Sequence, residues 1–337
     1  MTNTSIPLKY DGAKPLLLSP VGKDYLWGGN RLNSDFGKEI NLEPLAETWE
    51  CSTHPNGMSI VACGHYAGRT LKNVIGEHPE MLGKHSEKNG DLPVMVKLID
   101  AKEDLSVQVH PDDEYAERSE NGQKGKTEFW YILDATRDAT IIYGLHHSCT
   151  RADLVYSIEN GSFQSYLQRI PVKRDDVFLI NAGTIHALGA GTLVAEIQQT
   201  SDLTYRLYDY DRRDKDGRKR DLHIQKALDV ANLDGIPEPR QPMRVLRYAQ
   251  GCATELLVRC RYFQVERMLI NTERIRKRVS YQTDDLSFKV LLCISGCGVL
   301  SFEGEVIEMF KGDCIFVPAN SLEMKFHGKM QLLSIGC

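Results

Sequence analysis

The stretch from Asp175 to Gln199 reads DDVFLINAGTIHALGAGTLVAEIQQ and holds three short apolar runs separated by turn residues. The runs VFLI, IHAL and TLVAEI are rich in β-branched or large apolar residues, and the separators carry Asn and Gly. Glycine-broken runs of this length indicate short strands. Such a series favours a sandwich or barrel over a parallel α/β sheet, so we predict a mainly β fold.

The same pattern returns near the C terminus, where Gly312–Lys325 reads GDCIFVPANSLEMK. Aligned with Asp175–Leu188, this segment pairs VFLI with CIFV and His186 with Glu323. An internal repeat of this kind indicates that one supersecondary unit is used twice. Because the second copy lacks the histidine, we expect any function of His186 to be confined to the first copy.

The chain has 337 residues and 42% hydrophobic content, which is enough for more than one core. We expect a polar tail at 1–14 and a larger domain at 15–240 with a helical insert around 150–170. A smaller domain without the histidine is expected at 241–337. The Pro-rich segment IPEPRQPM, Ile236–Met243, is the predicted linker between the two domains.

The charge balance bears on the class of partner. The formal net charge is -5, with no basic excess of the kind that draws a protein to nucleic acid or to an anionic membrane. One basic run, Asp209–Asp221, contains no interleaved aromatic residues after Tyr210, and we interpret it as a solvated turn. We therefore expect a small-molecule partner, and the oligomeric state stays open.

Cysteine usage and hydropathy point to a cellular location. The nine cysteines are scattered and form no CxxC pair, which is typical of reduced thiols in a cytosolic protein. No segment approaches 18 consecutive apolar residues, and the N-terminal stretch MTNTSIPLKYDGAKP lacks the apolar h-region of a signal peptide behind its first charges. We expect a cytoplasmic protein.

Four polar residues form a candidate metal site. Gln108 and His110 are two apart in LSVQVH, so a strand places both side chains on one face. Glu128 begins the next strand-like run, where a buried carboxylate needs a partner. His186 supplies a second imidazole. Although a single histidine is more often structural than a ligand, this mixed nitrogen and oxygen set suits a divalent ion, with zinc the first choice and iron or manganese compatible with the same ligand types.

Four separated motifs carry a resemblance to a known family. LSVQVHPDDEYA, GKTEFWYI, NAGTIHALGAG and SDLTYRLYDYDR resemble the bacterial short form of type I mannose-6-phosphate isomerases, in the same order and spacing. The resemblance implies two cupin-type jelly rolls with a small helical insert, the first roll being catalytic. It further implies that Gln108, His110, Glu128 and His186 bind one zinc ion per chain, and that the protein interconverts mannose 6-phosphate and fructose 6-phosphate through an enediol.

The resemblance also implies roles for residues around the ion. Arg206 matches an arginine placed over the reacting centre, where it stabilises enediolate charge or holds phosphate. Lys126 matches a position near the substrate, and Glu196 and Asp202 match acidic positions proposed for proton transfer or ring opening, with the identity of the base left open. The matching substrate-binding positions are Lys97, Ser106 and Trp49, although Trp49 also fits a core position.

Two other functions share this scaffold. A non-catalytic sugar-phosphate-binding or regulatory cupin would keep the shell, but such a protein is expected to lose some ligands or Arg206. An iron oxygenase usually has a ligand set richer in histidine and has no need for the cationic cluster of Lys97, Lys126 and Arg206. The isomerase is therefore the favoured hypothesis.

Overall fold

The computed structural model describes residues 13–337 except 87, 89, 214, 215, 238, 240 and 276. The expected tail at 1–14 lies outside the described residues save for its last two positions, and two positions of the expected linker also lie outside them. In the described part of the chain, every helix is too short or too polar to cross a membrane.

Three antiparallel sheets account for the described strands. The middle sheet contains, in spatial order, β10 (Val177–Ile180), β7 (Glu128–Ala135), β12 (Thr192–Gln199), β5 (Val94–Ala101), β3 (Glu47–Cys51) and β2 (Val21–Lys23). The helix-side sheet contains β13 (Tyr205–Tyr208), β6 (Val107–Val109), β11 (His186–Leu188), β8 (Thr140–Leu145) and β9 (Leu167–Pro171). The mainly β fold class is confirmed.

The C-terminal sheet is the largest of the three. It contains, in spatial order, β14 (Arg247–Ala249), β15 (Cys252–Arg259), β16 (Gln264–Asn271), β21 (Met324–Gly336), β18 (Lys289–Phe302), β20 (Cys314–Val317), β1 (Leu16–Ser19) and β4 (Ile60–Val61). Two further strands extend it, β17 (Val279–Tyr281) on β21 and β19 (Glu305–Phe310) on β18.

The described residues form five short helices that connect the strands, and the last two of them pack against the outer face of the helix-side sheet. They are α1 (Arg31–Phe36), α2 (Leu71–Glu77), α3 (Asp113–Ser119), α4 (Arg151–Glu159) and α5 (Ile224–Val230), with 3₁₀ turns at Pro79–Leu82 and Phe163–Tyr166. Within the helical insert expected around 150–170 lies α4. It begins with a capping box, in which the Asp153 N–H donates to Thr150 Oγ1 and the Thr150 N–H donates to the Asp153 carboxylate.

Side-chain alternation explains how the sheets stack. Along β7, Phe129 and Tyr131 pack into a core shared with the C-terminal sheet, whereas Trp130 and Ile132 pack into a core shared with the helix-side sheet. The middle sheet is therefore buried on both faces, which explains its nearly continuous apolar runs. Polar side chains on the face of Trp130 project into the space between the middle and helix-side sheets.

The internal repeat is confirmed by matching local structure. β10 and β20 occupy the aligned positions, and an aspartate precedes each strand. The Lys173 N–H donates to Asp176 at 2.9 Å, and the Phe310 N–H donates to Asp313 at 2.7 Å, so both copies begin with the same three-residue turn. The two jelly rolls thus reuse one strand-entry motif.

The two expected domains are not separated by a simple cut in the chain. β1 and β4 come from the N-terminal part of the sequence but pair within the C-terminal sheet. One apolar core joins Leu98 and Phe129 of the middle sheet to Val290 and Phe316 of the C-terminal sheet. The boundaries at 15–240 and 241–337 stay predictions.

Candidate active site

A row of three side chains crosses the helix-side sheet. Gln108 on β6 lies directly opposite His186 on β11 and opposite Arg206 on β13. Residues opposite each other on adjacent strands project to the same face, so these three lie side by side. The amide nitrogen of Gln108 is 3.4 Å from His186 Nε2, and a half-turn of the amide would place its oxygen there instead.

Glu128 reaches this row from the middle sheet. Its Oε1 is 3.0 Å from His110 Nε2, and its Oε2 is 3.5 Å from His186 Nε2. One ligand atom from each of these three residues lies within 4.8 Å of the others, and all three residues are buried. The structure therefore brings together the candidate ligands from both sheets, with Gln108 beside them.

The chemistry of this cluster fits a metal ion. Within the described residues, the ring nitrogens of His110 and the carboxylate oxygens of Glu128 are buried without a well-aligned hydrogen bond, which is costly for polar atoms unless an ion takes that place. His186 Nδ1 lies 2.8 Å from the Thr184 carbonyl, which leaves Nε2 as the free acceptor.

The protonation states also suit ligation. Burial, reinforced by the Lys126 charge, lowers the pKa of His110 to about 3, and burial lowers the pKa of His186. Burial acts to raise the pKa of Glu128, but Lys126 and His110 outweigh burial and hold this pKa well below its usual range. Two neutral imidazoles and a carboxylate are the forms in which these side chains bind a metal.

A second row of polar side chains crosses the middle sheet. The register places Glu196 on β12 opposite Trp130, and Lys97 on β5 opposite both Glu196 and Trp49. Lys97 Nζ is 3.2 Å from Glu196 Oε1 and 3.8 Å from Glu47 Oε2. Burial alone would lower the pKa of Lys97, but the two carboxylates reverse this and raise it.

Glu196 is also held by the sheet around it. The Trp130 Nε1–H donates to Glu196 Oε2 at 2.9 Å. Burial raises the pKa of Glu196, and the nearby Glu128 charge adds to this, although Lys97 opposes both. A carboxylate with a raised pKa, fixed beside a metal site, has the properties required of a general base.

Residues of both rows line a single cavity of about 250 Å³. Most of the residues expected at the site line it, namely Lys97, Ser106, Gln108, Lys126, Glu196, Asp202 and Arg206. Trp49 does not. It is buried behind the wall, where its Nε1–H donates to Glu47 at 2.8 Å and its ring lies 5.1 Å from Lys97 Nζ. The expected substrate contact of Trp49 is therefore replaced by support of Glu47 and Lys97.

Comparison with known proteins identifies the family of this chain. The model of the phosphomannose isomerase type I catalytic domain matches residues 16–141, and that of the mannose-6-phosphate isomerase cupin domain matches residues 253–336. The mannose-6-phosphate isomerase ManA of Bacillus subtilis is 40% identical over 94% of this chain and 96% of its own length. The chain belongs to the type I mannose-6-phosphate isomerase family.

Other relatives agree with this assignment. The mannose-6-phosphate isomerase of Streptococcus mutans is 37% identical over 96% of this chain and 98% of its own length. The crystal structure of the mannose 6-phosphate isomerase from Bacillus subtilis superposes with a TM-score of 0.85 at 38% identity, covering 95% of this chain and 99% of that one. The family resemblance inferred from the four motifs is confirmed.

Several lining residues of this type I isomerase fold escaped the sequence analysis: Tyr25, Trp27, Glu47, Thr204 and Arg220. Glu47 had a signal, because it lies two positions before Trp49 on a strand and so shares its face. Arg220 had none. The interpretation of Asp209–Asp221 as no more than a solvated turn is wrong at Arg220, because the end of the turn returns this side chain to the cavity.

Proposed function

We propose that the protein is a metal-dependent aldose–ketose isomerase that interconverts mannose 6-phosphate and fructose 6-phosphate. The observation that carries the proposal is the buried His110, Glu128 and His186 cluster, whose neighbours Gln108 and Lys126 line a cavity that also presents a carboxylate with a raised pKa. Isomerisation through an enediol needs an electrophile at the oxygens and a base at carbon, and this cavity offers residues for both. The names of the relatives support the same substrate pair.

We propose that one zinc ion is bound by Gln108, His110, Glu128 and His186. When bound, zinc supplies a Lewis acid that polarises the oxygens on C1 and C2 of the sugar. Support comes from the mixed nitrogen and oxygen donors, their deprotonated forms and the buried polar atoms that have no well-aligned partner among the described residues. Lys126, whose Nζ is 2.7 Å from Glu128 Oε1, keeps that carboxylate ionised.

The protein's own side chains then move the protons. Glu196 takes the proton from C2 of open-chain mannose 6-phosphate and returns it to C1, while the hydroxyl proton on O2 moves to O1, which yields the ketose without net loss of atoms. Asp202, which accepts a hydrogen bond from Asn56 Nδ2 at 2.9 Å, also lines the cavity and assists ring opening. Arg206 stabilises the negative charge that develops on the enediolate oxygens.

Two cavity residues hold other side chains in place rather than transfer protons. Ser106 Oγ accepts a hydrogen bond from Arg206 Nε at 3.3 Å, which fixes the guanidinium beside the row of candidate ligands. Lys97 neutralises Glu47 and Glu196, so that both carboxylates remain in a buried wall. These contacts support a substrate-binding role in which the two residues shape the cavity.

A coupled assay for fructose 6-phosphate formed from mannose 6-phosphate tests the proposal. Zinc-loaded protein should turn over, and Glu196→Gln should lose most activity while it retains its metal. Exposed Glu323→Gln is the matched control, because it removes a carboxylate from the aligned segment of the second roll. Metal-loaded protein that binds mannose 6-phosphate without converting it would instead be the sugar-phosphate-binding homologue.

A further inference from the structure

The cations of the cavity fall into two groups that differ in their partners. Lys97 is paired with Glu196 and Glu47, and Lys126 is paired with Glu128. Their charges are already compensated inside the wall. A phosphorylated substrate carries close to two negative charges, so its anion needs cations that the protein has left less compensated.

Arg206 is one such cation. Its Nε donates to Ser106 Oγ at 3.3 Å and its Nη1 donates to the Asp221 carbonyl at 3.0 Å. Among the residues that the structure describes, no carboxylate lies within ion-pair distance of it. Burial lowers the pKa of Arg206, and the positive charge of Arg220 lowers it further, which indicates that the two guanidinium groups lie near each other.

Arg220 is the second cation of the cavity that the protein leaves less compensated. Its Nε donates to Asp209 Oδ2 at 2.8 Å and its Nη2 donates to Asp209 Oδ1 at 2.5 Å, a bidentate pair that fixes the plane of the guanidinium. Asp209 is buried and also accepts from Arg212 Nη2 at 2.6 Å. One carboxylate therefore serves two arginines, and among the described residues Nη1 of Arg220 has no protein acceptor.

The fold explains why Arg220 arrives at this place. The basic turn leaves β13 and closes on itself through the Arg213↔Lys219 bridge and the Lys219–Asp211 ion pair. The chain then returns, and the Asp221 carbonyl and the His223 N–H bond back to Arg206. The return of the chain thereby brings Arg220 into the lining of the cavity, together with Arg206.

The order of residues matches the two ends of a hexose 6-phosphate. Gln108, which is itself a candidate metal ligand, lies directly opposite Arg206 on the sheet, and Arg220 lines the same cavity from the returning loop. The reacting carbons C1 and C2 are at one end of the sugar and the phosphate on C6 is at the other. A substrate with C1 at the metal ligands therefore carries its anion towards the arginine pair.

We propose that Arg220 binds the phosphate of the substrate and that Asp209 is the positioning residue that aims it. The inference rests on the proposed function, since it assumes a sugar phosphate in this cavity. It assigns phosphate recognition to the basic turn after β13 rather than to Lys97 or Lys126.

Steady-state kinetics with mannose 6-phosphate test the assignment. Arg220→Gln should raise KM roughly 10–100-fold with kcat changed little, because a charged hydrogen-bonding partner of the ground state is lost. Arg220→Lys should give an intermediate KM, since it keeps the charge without the fork. Lys219→Ala is the matched control. It removes a positive charge from the neighbouring position, but its side chain pairs with exposed Asp211 rather than lining the cavity.

Inorganic phosphate supplies a readout that does not require turnover. Its dissociation constant, measured by calorimetry on the zinc-loaded protein, should weaken by a similar factor in Arg220→Gln and stay unchanged in Lys219→Ala. Unchanged KM and phosphate affinity in Arg220→Gln, or a loss confined to kcat, would overturn the proposal. Wild-type protein that binds phosphate through Arg220 but does not isomerise mannose 6-phosphate would retain the anion site and refute the proposed function.

Discussion

At the scale of single residues, the difference between His186 and Glu323 predicts that the chain binds one ion. His186 is buried beside Glu128, whereas Glu323, at the aligned position of the second roll, is exposed. Within the described residues, His110, Glu128 and His186 form the one group of His, Cys, Asp or Glu side chains that lie close enough together to share a metal ion. We expect one metal per chain in wild type, less than a tenth of that in His186→Ala and no change in Glu323→Ala, measured by elemental analysis. Two tightly bound ions per chain would contradict this.

Arg206 and Arg220 should fail in different ways. Arg206 lies beside the candidate ligands and, in the proposed mechanism, acts on charge that develops only during the reaction. Arg206→Lys should therefore lower kcat and kcat/KM together, by roughly 10²–10³-fold, as when an oxyanion donor is removed. The measurement is steady-state kinetics with metal content checked in each sample. A raised KM at unchanged kcat would make Arg206 a phosphate ligand instead.

At the scale of elements, a buried ion pair joins the two rolls. α1 ends at Gly37, whose left-handed backbone (φ 58°) turns Lys38 inward. Lys38 Nζ lies 2.7 Å from Glu50 Oε2 on β3 and donates to the Gly312 carbonyl, just before β20, at 2.6 Å. Neither side chain of the pair is more than 6% exposed, so removing the lysine leaves a carboxylate without compensation in the core.

Lys38→Met should therefore lower the free energy of unfolding by about 3–5 kcal/mol, measured by urea denaturation at neutral pH. Burial already raises the pKa of Glu50 in the wild type. A carboxyl whose pKa is higher in the folded than in the unfolded state makes the protein less stable as the pH rises and the group ionises. The difference in unfolding free energy between wild type and Lys38→Met should therefore shrink towards acidic pH, where Glu50 is protonated. Exposed Lys102→Met is the control, and Lys38→Met with Glu50→Met should recover most of the loss. Equal destabilisation by Lys102→Met would refute the argument.

The sequence predicted those elements whose signal is local. Period-2 alternation placed Gln108 on the same face as His110, because a strand fixes which face a side chain takes. The repeat is equally local, and so is the pattern of the helical insert that contains α4.

What the sequence did not predict depends on pairing between distant segments. β1 pairs with β20 across nearly the whole chain, and no pattern within either strand specifies that partner. Arg220 likewise reaches the cavity only because a turn returns the chain to β13. Trp49 had the right face for the site, but its depth behind Glu47 depends on how neighbouring strands pack.

At the scale of the whole molecule, the candidate metal site links two sheets. His110, His186 and Gln108 come from the helix-side sheet or its edge, and Glu128 comes from the middle sheet. An ion that binds only the folded state stabilises it by about 2.7 kcal/mol when free metal exceeds the dissociation constant 100-fold. Chelation should therefore remove activity and lower the melting temperature of wild type, with zinc restoring both, but should leave the melting temperature of His186→Ala unchanged.

The loss of stability after chelation should also be confined to the part of the molecule around the candidate metal site. Without the ion, the buried ring nitrogens of His110 and carboxylate oxygens of Glu128 lose a shared partner between the two sheets, so β6, β11 and the start of β7 should open more readily. The C-terminal sheet packs on the other face of the middle sheet through an apolar core that contains none of the candidate ligands. Hydrogen exchange followed by mass spectrometry should thus show faster exchange in β6, β11 and β7 after chelation, and unchanged exchange in β18 and β21. Faster exchange in both regions would mean that the ion stabilises the molecule as one cooperative unit, whereas no change in either would mean that these residues hold no structural ion.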